Sequence, residues 1–501
     1  MKKLIICFLT LILALSCLYG YSYAPSEIPI QPYRVPAITP EPAYSEISPT
    51  VYYPLTRIEI ECQDAAAARW AGKHLKEWYG KLAPEVSESV VADTGLGDEA
   101  YELVVGQDKV SIKAQTLQGV RYALYSLRQI AMPERGGEDF GCYITPKCVI
   151  RDSPALSFRG IHICWFHERE PWEIEKMIRL AAYYKINYAV IESWGTYRSK
   201  VAPWYGWPDG TMTNKEIARL KKIADDLGIT LIPQINVLGH ASMSRGGPGK
   251  HSALDFHPEY QHFFEPDTWN WCISNPACRK LLIDLIEERM EAFGNPPFFH
   301  IGADEAHDPS CPACINLPYS ELMMDHINVM CETVRKKGAR PMMWHDMLLE
   351  RDDPRWKGFK AHGTPETAAG LLKFPKDVVI CDWYYEEVQE SYPTMDHFKS
   401  LGFTTLTCPW NHTEGTRSMG KYAREGHADG MLGTMWHHDF GKDFVKGYLY
   451  LANSAWNAGA KWKRNQVKIH LRHILWDMKV KDYKRTGTYI YELPDEYYLD
   501  N

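Results

Sequence analysis

The sequence contains no clustered run of lysine and arginine, and its net charge at pH 7 is -7. A protein that binds a phosphate backbone normally carries a basic face, so we expect no nucleic-acid partner. Past the N-terminus, no stretch approaches the roughly 18 apolar residues that a membrane-spanning helix requires. Glycine shows no three-residue period, and no repeat of about 20 to 50 residues is visible, which argues against collagen-like and solenoid architectures.

Aromatic and apolar residues are plentiful instead. Of the 501 residues, 45% are hydrophobic and 13% aromatic, which is enough for a large core and for two or three domains. The chain has 17 Trp and 30 Tyr. Such side chains usually build cores and interfaces, but their flat apolar faces also suit sugar rings.

The N-terminus has the pattern of a signal peptide over residues 1–24, with a charged start and an apolar run at 4–15. Cleavage is expected within residues 20–24, where small residues recur. The alternative is an imperfect lipoprotein box ending at Cys17, which would attach a lipid there and provide the only membrane attachment. Either pathway predicts an exported protein, which would be periplasmic, anchored at the cell surface or secreted.

Two segments that differ in composition and hydrophobic pattern follow the leader. Eight prolines between residues 25 and 54 predict an extended linker over 25–55. A small α+β domain is expected over 56–150 from its strand and helix patterns. Its predicted strands lie at 57–61, 101–106 and 109–114, and its predicted helices at 64–79 and 116–130.

From residue 157 onward, eight short apolar runs alternate with stretches of helical period. The predicted strands lie at 158–164, 188–192, 230–235, 297–302, 340–344, 378–383, 403–408 and 430–436. Eight strand–helix units predict an α/β fold, a TIM (β/α)8 barrel over 151–460, closed by a helix at 443–458. Residues 461–501 are interpreted as a C-terminal extension.

In a TIM barrel, the reactive side chains lie just past the C-terminal ends of the strands. Polar and aromatic residues gather near those predicted ends, which is typical of a site for a polar, ring-shaped ligand. They are Arg159, His162, Glu192, Trp194, Asn236, His240, Asp304, Glu305, Trp344, His345, Asp346, Asp382, Trp383, Tyr384, Trp410, Asn411, Trp436, His437 and His438. Of these, His162 and His345 are interpreted as structural histidines.

Asp304 and Glu305 are the pair best suited to chemistry. Adjacent strand residues point to opposite faces, so both can reach one site only where the strand gives way to a loop. Gly302 and Ala303 leave space at that point. Two neighbouring carboxylates should raise the pKa of at least one of them, and a protonated Glu305 could then donate its proton to a leaving oxygen. A metal site or an acidic helix N-terminus is the alternative interpretation.

The cysteines predict no metal site. Of the 13, Cys7 and Cys17 lie in the leader, and the odd remainder implies some free thiols. Cys311 and Cys314 are the one close pair and, with His307, could form half of a zinc site. No second pair matches them, so a disulfide or two packed thiols is favoured. The neighbours His437 and His438 should diverge. No cofactor or metal is expected.

The segment FHIGADE at 299–305 resembles the active-site signature of glycoside hydrolase family 20, the β-N-acetylhexosaminidases. Further segments resemble the same family in the same order: RDSP at 151–154 leading to FRG at 158–160, and IPQI at 232–235 followed by Gly239 and His240. Residues 101–130 resemble the small domain that precedes the barrel in that family. The resemblance covers roughly residues 56 to 460.

The resemblance implies exo-acting removal of terminal β-linked N-acetylhexosamine, GlcNAc or GalNAc, from a glycan or glycoconjugate. The mechanism would be retaining and substrate-assisted, with the sugar's 2-acetamido oxygen attacking the anomeric carbon. Asp304 would then stabilise the oxazolinium intermediate, and Glu305 would protonate the leaving oxygen and later activate water. The other implied contacts are Arg159 on sugar hydroxyls, His240 beside the acidic pair, Trp344, Trp383 and Trp436 as pocket walls, and Tyr384 on the acetamido group.

The sequence departs from the family pattern at positions that normally hold sugar hydroxyls and support the catalytic Asp. Gln234 and Asn236 stand in place of Glu and Asp, Cys164 in place of Asp, and His438 in place of Glu. Glu192 is the candidate substitute for the missing sugar-binding carboxylates. Two other functions therefore stay open: a non-catalytic glycan-binding protein on the same fold, and a glycosidase with two enzyme carboxylates for a non-acetamido sugar.

Overall fold

The structure, a computed structural model, describes residues 38–134, 141–242, 253–386, 388–436, 442–457 and 459. The predicted leader with Cys17, the first part of the linker, His437, His438 and the extension at 461–501 lie outside the described residues. Within the described ranges, no helix is long and apolar enough to cross a membrane.

The N-terminal part of the chain forms a seven-stranded mixed sheet packed against two helices. Its strands are β1 (Tyr44–Pro54), β2 (Arg57–Cys62), β3 (Glu85–Val90), β4 (Tyr101–Val105), β5 (Val110–Ala114), β6 (Met132–Pro133) and β7 (Tyr143–Asp152). The helices are α1 (Ala67–Tyr79) and α2 (Leu117–Ile130), and Gly80–Leu82 is a 3-10 turn. The strand order is β1-β7-β4-β5-β2-β3, with β6 paired to β7. Alternate residues of β4 and β5 are buried, as the period of two in their sequences predicts.

The prediction of an extended linker over 25–55 is wrong for residues 44–54, which form strand β1. This strand pairs antiparallel with β7, from Tyr44 opposite Arg151 to Pro54 opposite Ile144. It tolerates its prolines because it is an edge strand, and its register shifts between Ile47 and Tyr52, around Pro49. The proline content that indicated a linker therefore marks the edge of a sheet.

The rest of the described chain forms a closed barrel of eight parallel strands, which confirms the predicted fold class. The strands are β8 (Phe158–Trp165), β9 (Tyr188–Ser193), β10 (Thr230–Gln234), β11 (Phe298–His300), β12 (Arg340–Trp344), β13 (Val379–Trp383), β14 (Thr404–Cys408) and β15 (Gly430–Met435). The helices are α3 (Pro171–Tyr183), α4 (Asn214–Leu227), α5 (Ala253–Phe256), α6 (Pro276–Ala292), α7 (Tyr319–Lys336), α8 (Pro365–Leu371), α9 (Pro393–Ser400), α10 (Thr413–Tyr422) and α11 (Lys442–Trp456). Short 3-10 turns lie at Pro203–Tyr205, Pro258–Phe263, Asp346–Leu348 and Pro354–Trp356, and a π turn at Ala423–His427.

The small domain packs against the N-terminal end of the barrel, and Arg159 belongs to this junction. It is the second residue of β8, so roughly 20 Å of strand separates it from the opposite end, where Trp165 lies. Its guanidinium is buried, pairs with Glu99 of the small domain at 2.6 Å and donates to Tyr122 Oη at 2.7 Å. The prediction that Arg159 clamps sugar hydroxyls is therefore wrong, because a buried interdomain ion pair holds this side chain at the wrong end of the barrel.

Candidate active site

The acidic pair lies in a sharply turned loop that follows β11. The strand ends at His300, and the next residues include three with left-handed backbone: Gly302 with φ 65°, Ala303 with φ 69° and Glu305 with φ 46°. A Cβ atom at Gly302 would lie 1.8 Å from Asn236 Oδ1, so this position requires glycine. The turn breaks the alternation of the strand and lets neighbouring carboxylates face one site, as the sequence predicts.

His240 joins the two carboxylates. Its Nε2 lies 3.2 Å from Asp304 Oδ2 and 3.2 Å from Glu305 Oε2. The Asp304 side chain is 9% exposed and that of Glu305 is 42% exposed, so the two acids occupy different environments. The ring of Trp269 packs 4.2 Å from that of His240, and its Nε1 donates to Glu305 O at 2.6 Å. His240 and Trp269 therefore fix the position of the pair.

The contact with His240 also sets the charge of Glu305. The hydrogen bond from His240 lowers the pKa of Glu305 below its ordinary value, against the opposing effect of burial. Of the two acids, Glu305 was the one expected to be protonated at neutral pH, and that expectation is wrong, because the imidazole of His240 outweighs both burial and the charge of Asp346. In the free protein, Glu305 is ionised at neutral pH.

Asp346 connects the acidic loop to the wall of the site. Its Oδ2 accepts from the backbone N–H of Glu305 at 2.9 Å, and its Oδ1 accepts from Trp383 Nε1 at 3.1 Å. His362 Nδ1 lies 2.9 Å from the same Oδ2, a contact that raises the pKa of His362. The sequence places Asp346 near the end of a strand, but its role as a buried anchor depends on three partners from three separate segments.

Two of the predicted tryptophans contact Tyr385, a residue outside the predicted site, and the third packs beside one of them. Tyr385 packs against Trp383 with ring centroids 5.1 Å apart, and its hydroxyl accepts from Trp436 Nε1 at 2.9 Å. Trp344 lies 6.3 Å from Trp436, ring to ring. Burial raises the pKa of Tyr385 well above its ordinary value, and the charge of Asp304 adds to the rise. Tyr385 is therefore a neutral phenol next to the acidic pair.

The prediction that Tyr384 contacts the acetamido group is wrong. Its hydroxyl accepts from Gln389 Nε2 at 2.7 Å, and its ring packs against Phe359 and Tyr392. Residues two apart at a strand end share a face, so Tyr385 follows Trp383 into the site and Tyr384 points away. This period of two was present in the sequence and would have identified Tyr385.

Glu192 lies at the expected end of β9 but is buried in a cluster of its own. Its Oε2 is 3.1 Å from His162 Nε2 and accepts from Trp194 Nε1 at 3.0 Å. The ring of His162 packs 4.6 Å from that of Trp436. Glu192 therefore contacts the histidine that packs against Trp436. Its role as a direct sugar contact stays a prediction.

Among the described residues at this end of the barrel, two separate groups of three side chains could each hold a metal ion. Within each group, the three potential ligand atoms lie within 4.8 Å of one another. They are His240 with Asp304 and Glu305, and His162 with Cys164 and Glu192. The first coincides with the acidic pair, so acid–base and metal chemistry would use the same side chains. The chemistry proposed below requires only the side chains themselves.

A closed (β/α)8 barrel with adjacent carboxylates and tryptophan walls at one rim defines a class of barrel protein suited to acid–base chemistry on a polar, ring-shaped ligand. Residues 171–456, more than half of the chain, match the catalytic domain of glycosyl hydrolase family 20, and residues 35–153 match domain 2 of that family. The chain belongs to glycosyl hydrolase family 20, as the resemblance of its acidic motif predicts.

Individual relatives are distant. The chain is 24% identical over 407 residues to a beta-hexosaminidase of Vibrio furnissii, covering 72% of this chain and 62% of that relative. It is 22% identical over 451 residues to a lacto-N-biosidase of Bifidobacterium bifidum, covering 80% of this chain and 37% of that relative. The chain thus spans less than two thirds of the length of either protein.

The fold is also similar to solved structures. One is the family 20 exo β-N-acetylglucosaminidase of Vibrio harveyi in complex with N-acetylglucosamine, with a TM-score of 0.68 and 18% identity. The match covers 91% of this chain and 80% of that one. At this level of identity, the likeness shows a shared fold.

Proposed function

We propose that this protein is an exo-acting, retaining glycosidase that removes terminal β-linked N-acetylhexosamine, GlcNAc or GalNAc, from a glycan or glycoconjugate. The observation that carries the proposal is that the carboxylates of Asp304 and Glu305 both contact Nε2 of His240. The hydrogen-bonded pair of Tyr385 and Trp436 lies at the same rim of the barrel. The names of the relatives, a beta-hexosaminidase and an exo β-N-acetylglucosaminidase, support an acetamido sugar and an exo mode of attack. The predicted leader at 1–24 supports an exported location.

In this mechanism, Asp304 and Tyr385 hold the acetamido group. Asp304 Oδ1 has no hydrogen-bond partner among the described residues, so it can accept from the acetamido N–H and stabilise the positive charge of the oxazolinium. The Tyr385 hydroxyl accepts from Trp436 and can donate its own proton to the acetamido oxygen. Holding that oxygen against the anomeric carbon makes the nucleophilic attack intramolecular.

Glu305 acts in its protonated form, which its lowered pKa populates only on the acidic side of neutrality, and it supplies and then recovers the proton. As the acetamido oxygen bonds to the anomeric carbon, the glycosidic bond breaks and the Glu305 proton passes to the leaving oxygen. In the second step, Glu305 takes a proton from water, whose oxygen attacks the same carbon and releases the acetamido group. The higher exposure of Glu305 suits contact with the leaving group and water.

The spacing of the two acids supports retention. Inverting glycosidases keep their carboxyl groups roughly 6.5–9.5 Å apart to admit a water molecule between them. Here, the donor atoms of Asp304 and Glu305 lie within 4.8 Å of each other and share His240. An acetamido nucleophile removes the need for either an intervening water or an enzyme nucleophile.

Hydrolysis of aryl β-glycosides that differ only at the sugar tests this function. We expect turnover of the GlcNAc or GalNAc glycoside, and a rate on the order of 10⁵-fold lower for the glucoside, because an oriented intramolecular nucleophile has an effective molarity of about 10⁵–10⁸ M. A thiazoline mimic of the oxazolinium should inhibit. Comparable cleavage of the glucoside would contradict substrate assistance, and binding of glycans without any turnover would indicate a non-catalytic binding protein.

The neighbours Tyr384 and Tyr385 form a matched pair for testing the acetamido contact. We expect Tyr385→Phe to lower kcat by about 10²-fold, the usual effect of removing one donor aimed at transition-state charge. Tyr384→Phe loses only its hydrogen bond with Gln389, worth about 1 kcal/mol of stability, and should keep kcat within about twofold. The measurement is kcat on the acetamido glycoside, and equal effects of the two substitutions would contradict the assignment.

A further inference from the structure

Four side chains of the types that ligate metals lie close together, away from the acidic pair. We call this group the cysteine cluster, and its members are Glu265, Cys272, Cys311 and Cys314. The three sulfur atoms and a carboxylate oxygen all lie within 4.8 Å of one another. We propose that the cysteine cluster binds one structural Zn²⁺ ion. The sequence offers no second close pair of cysteines to match Cys311 and Cys314, but the fold brings Cys272 and Glu265 to them from the preceding loop.

The sulfur spacing fits tetrahedral zinc. With Zn–S bonds of about 2.3 Å, two sulfurs of a regular tetrahedron lie about 3.8 Å apart. Cys272 Sγ is 3.8 Å from Cys311 Sγ and 3.9 Å from Cys314 Sγ. A disulfide would require about 2.05 Å for one pair and would leave the third cysteine unpaired. Three thiolates and one carboxylate complete a four-ligand set with no position left for substrate.

Glu265 provides the second, independent observation. Its side chain is 1% exposed, and its Oε2 accepts from the backbone N–H groups of Ser310 at 2.9 Å and Cys311 at 2.7 Å. Its Oε1 has no hydrogen-bond partner within the described part of the chain. A buried carboxylate oxygen without a partner is costly, and a cation in the cluster would stabilise it. The two N–H groups orient the carboxylate as outer-shell partners of a metal ligand do.

His307, the ligand considered from the sequence, is not part of the cluster. Its Nδ1 lies 2.9 Å from Asp267 Oδ2, and its ring stacks on Trp269 at 5.2 Å. The cysteine cluster joins two loops. Trp269 lies on the loop that carries Glu265 and Cys272, and Glu305 lies on the loop that carries Cys311 and Cys314. Trp269 Nε1 donates to Glu305 O, so the zinc would fix the loop that carries the proposed acid.

Metal analysis of the untagged full chain tests this site without any substrate, so the result is independent of the proposed glycosidase activity. We expect about one zinc per chain in the wild type, and loss of that zinc in Cys311→Ser. Cys142→Ser is the matched control, since Cys142 is also partly exposed but lies in the small domain. Substitution with Co²⁺ should give thiolate-to-metal charge-transfer bands and the d–d bands of a tetrahedral site in the wild type and in the control.

The role of Glu265 needs a separate comparison. We expect Glu265→Gln to bind zinc at least about tenfold more weakly than the wild type in competition with a chelator, given the usual effect of disturbing a metal's ligand environment. Equal affinity would remove Glu265 from the ligand set. Three results would overturn the site itself: wild-type protein without zinc after incubation with excess Zn²⁺, the same zinc content in Cys311→Ser, or a disulfide within the cluster found by mass spectrometry of unreduced peptides.

Discussion

We expect Glu305→Gln to lower kcat on an acetamido glycoside by about 10²–10⁴-fold while leaving sugar binding intact, the range that a positioned proton donor contributes. Gln has the size of Glu but no proton to give, and the backbone contacts of residue 305 with Asp346 and Trp269 do not depend on its side chain. The loss should shrink on a dinitrophenyl glycoside, whose leaving group departs without protonation. Parallel kinetics on a poor and a good leaving group measure this difference.

The pH profile adds a second signature of the same residue. A general acid works only while protonated, so kcat/KM should fall as the pH rises through the pKa of Glu305 in the free enzyme. Because His240 lowers this pKa, the fall should begin on the acidic side of neutrality. Glu305→Gln should lose this limb of the profile.

Glu321→Gln is the matched control for Glu305→Gln, since Glu321 lies exposed in the first turn of α7, beyond the same loop. It should retain wild-type rates and the wild-type pH profile. An unchanged kcat in Glu305→Gln, or a loss that is equal for both leaving groups, would contradict the role of Glu305 as the acid.

Asp304→Asn should lower kcat by about 10²–10³-fold, the effect of removing one preorganised electrostatic contact from a developing charge. Asn keeps the shape of the side chain but loses the negative charge that would stabilise the oxazolinium. Unlike the Glu305 substitution, this loss should be similar for good and poor leaving groups, because formation of the oxazolinium ring is impaired in both. The measurement is the ratio of kcat values on the two aryl glycosides.

Asp308→Asn is the control for this substitution, because Asp308 is an exposed acid four residues further along the same loop. It should retain wild-type kcat. Rescue of Asp304→Asn by an activated leaving group would show that Asp304 shares in proton transfer and would contradict its assignment to the acetamido group.

The sequence alone determined those features that depend on local pattern. The eight apolar runs predict the eight barrel strands because buried parallel strands are continuous apolar segments. The motif at 299–305 identifies the family because Gly302 and the acidic pair are needed at one tight turn. The period of two at Trp383 and Tyr385 also lies in the sequence and places both side chains on one face.

Only the tertiary structure decided which distant residues meet. The sequence pattern places Arg159 with the residues at the C-terminal ends of the barrel strands. In the structure it lies at the N-terminal end of β8, where it pairs with Glu99 of the small domain. The lowered pKa of Glu305 arises from His240, 65 positions earlier in the chain. The cysteine cluster joins Cys272 to Cys311 and Cys314 across a helix and a strand. Such contacts form when the barrel closes and loops from successive strands gather at one rim, and no local pattern encodes that proximity.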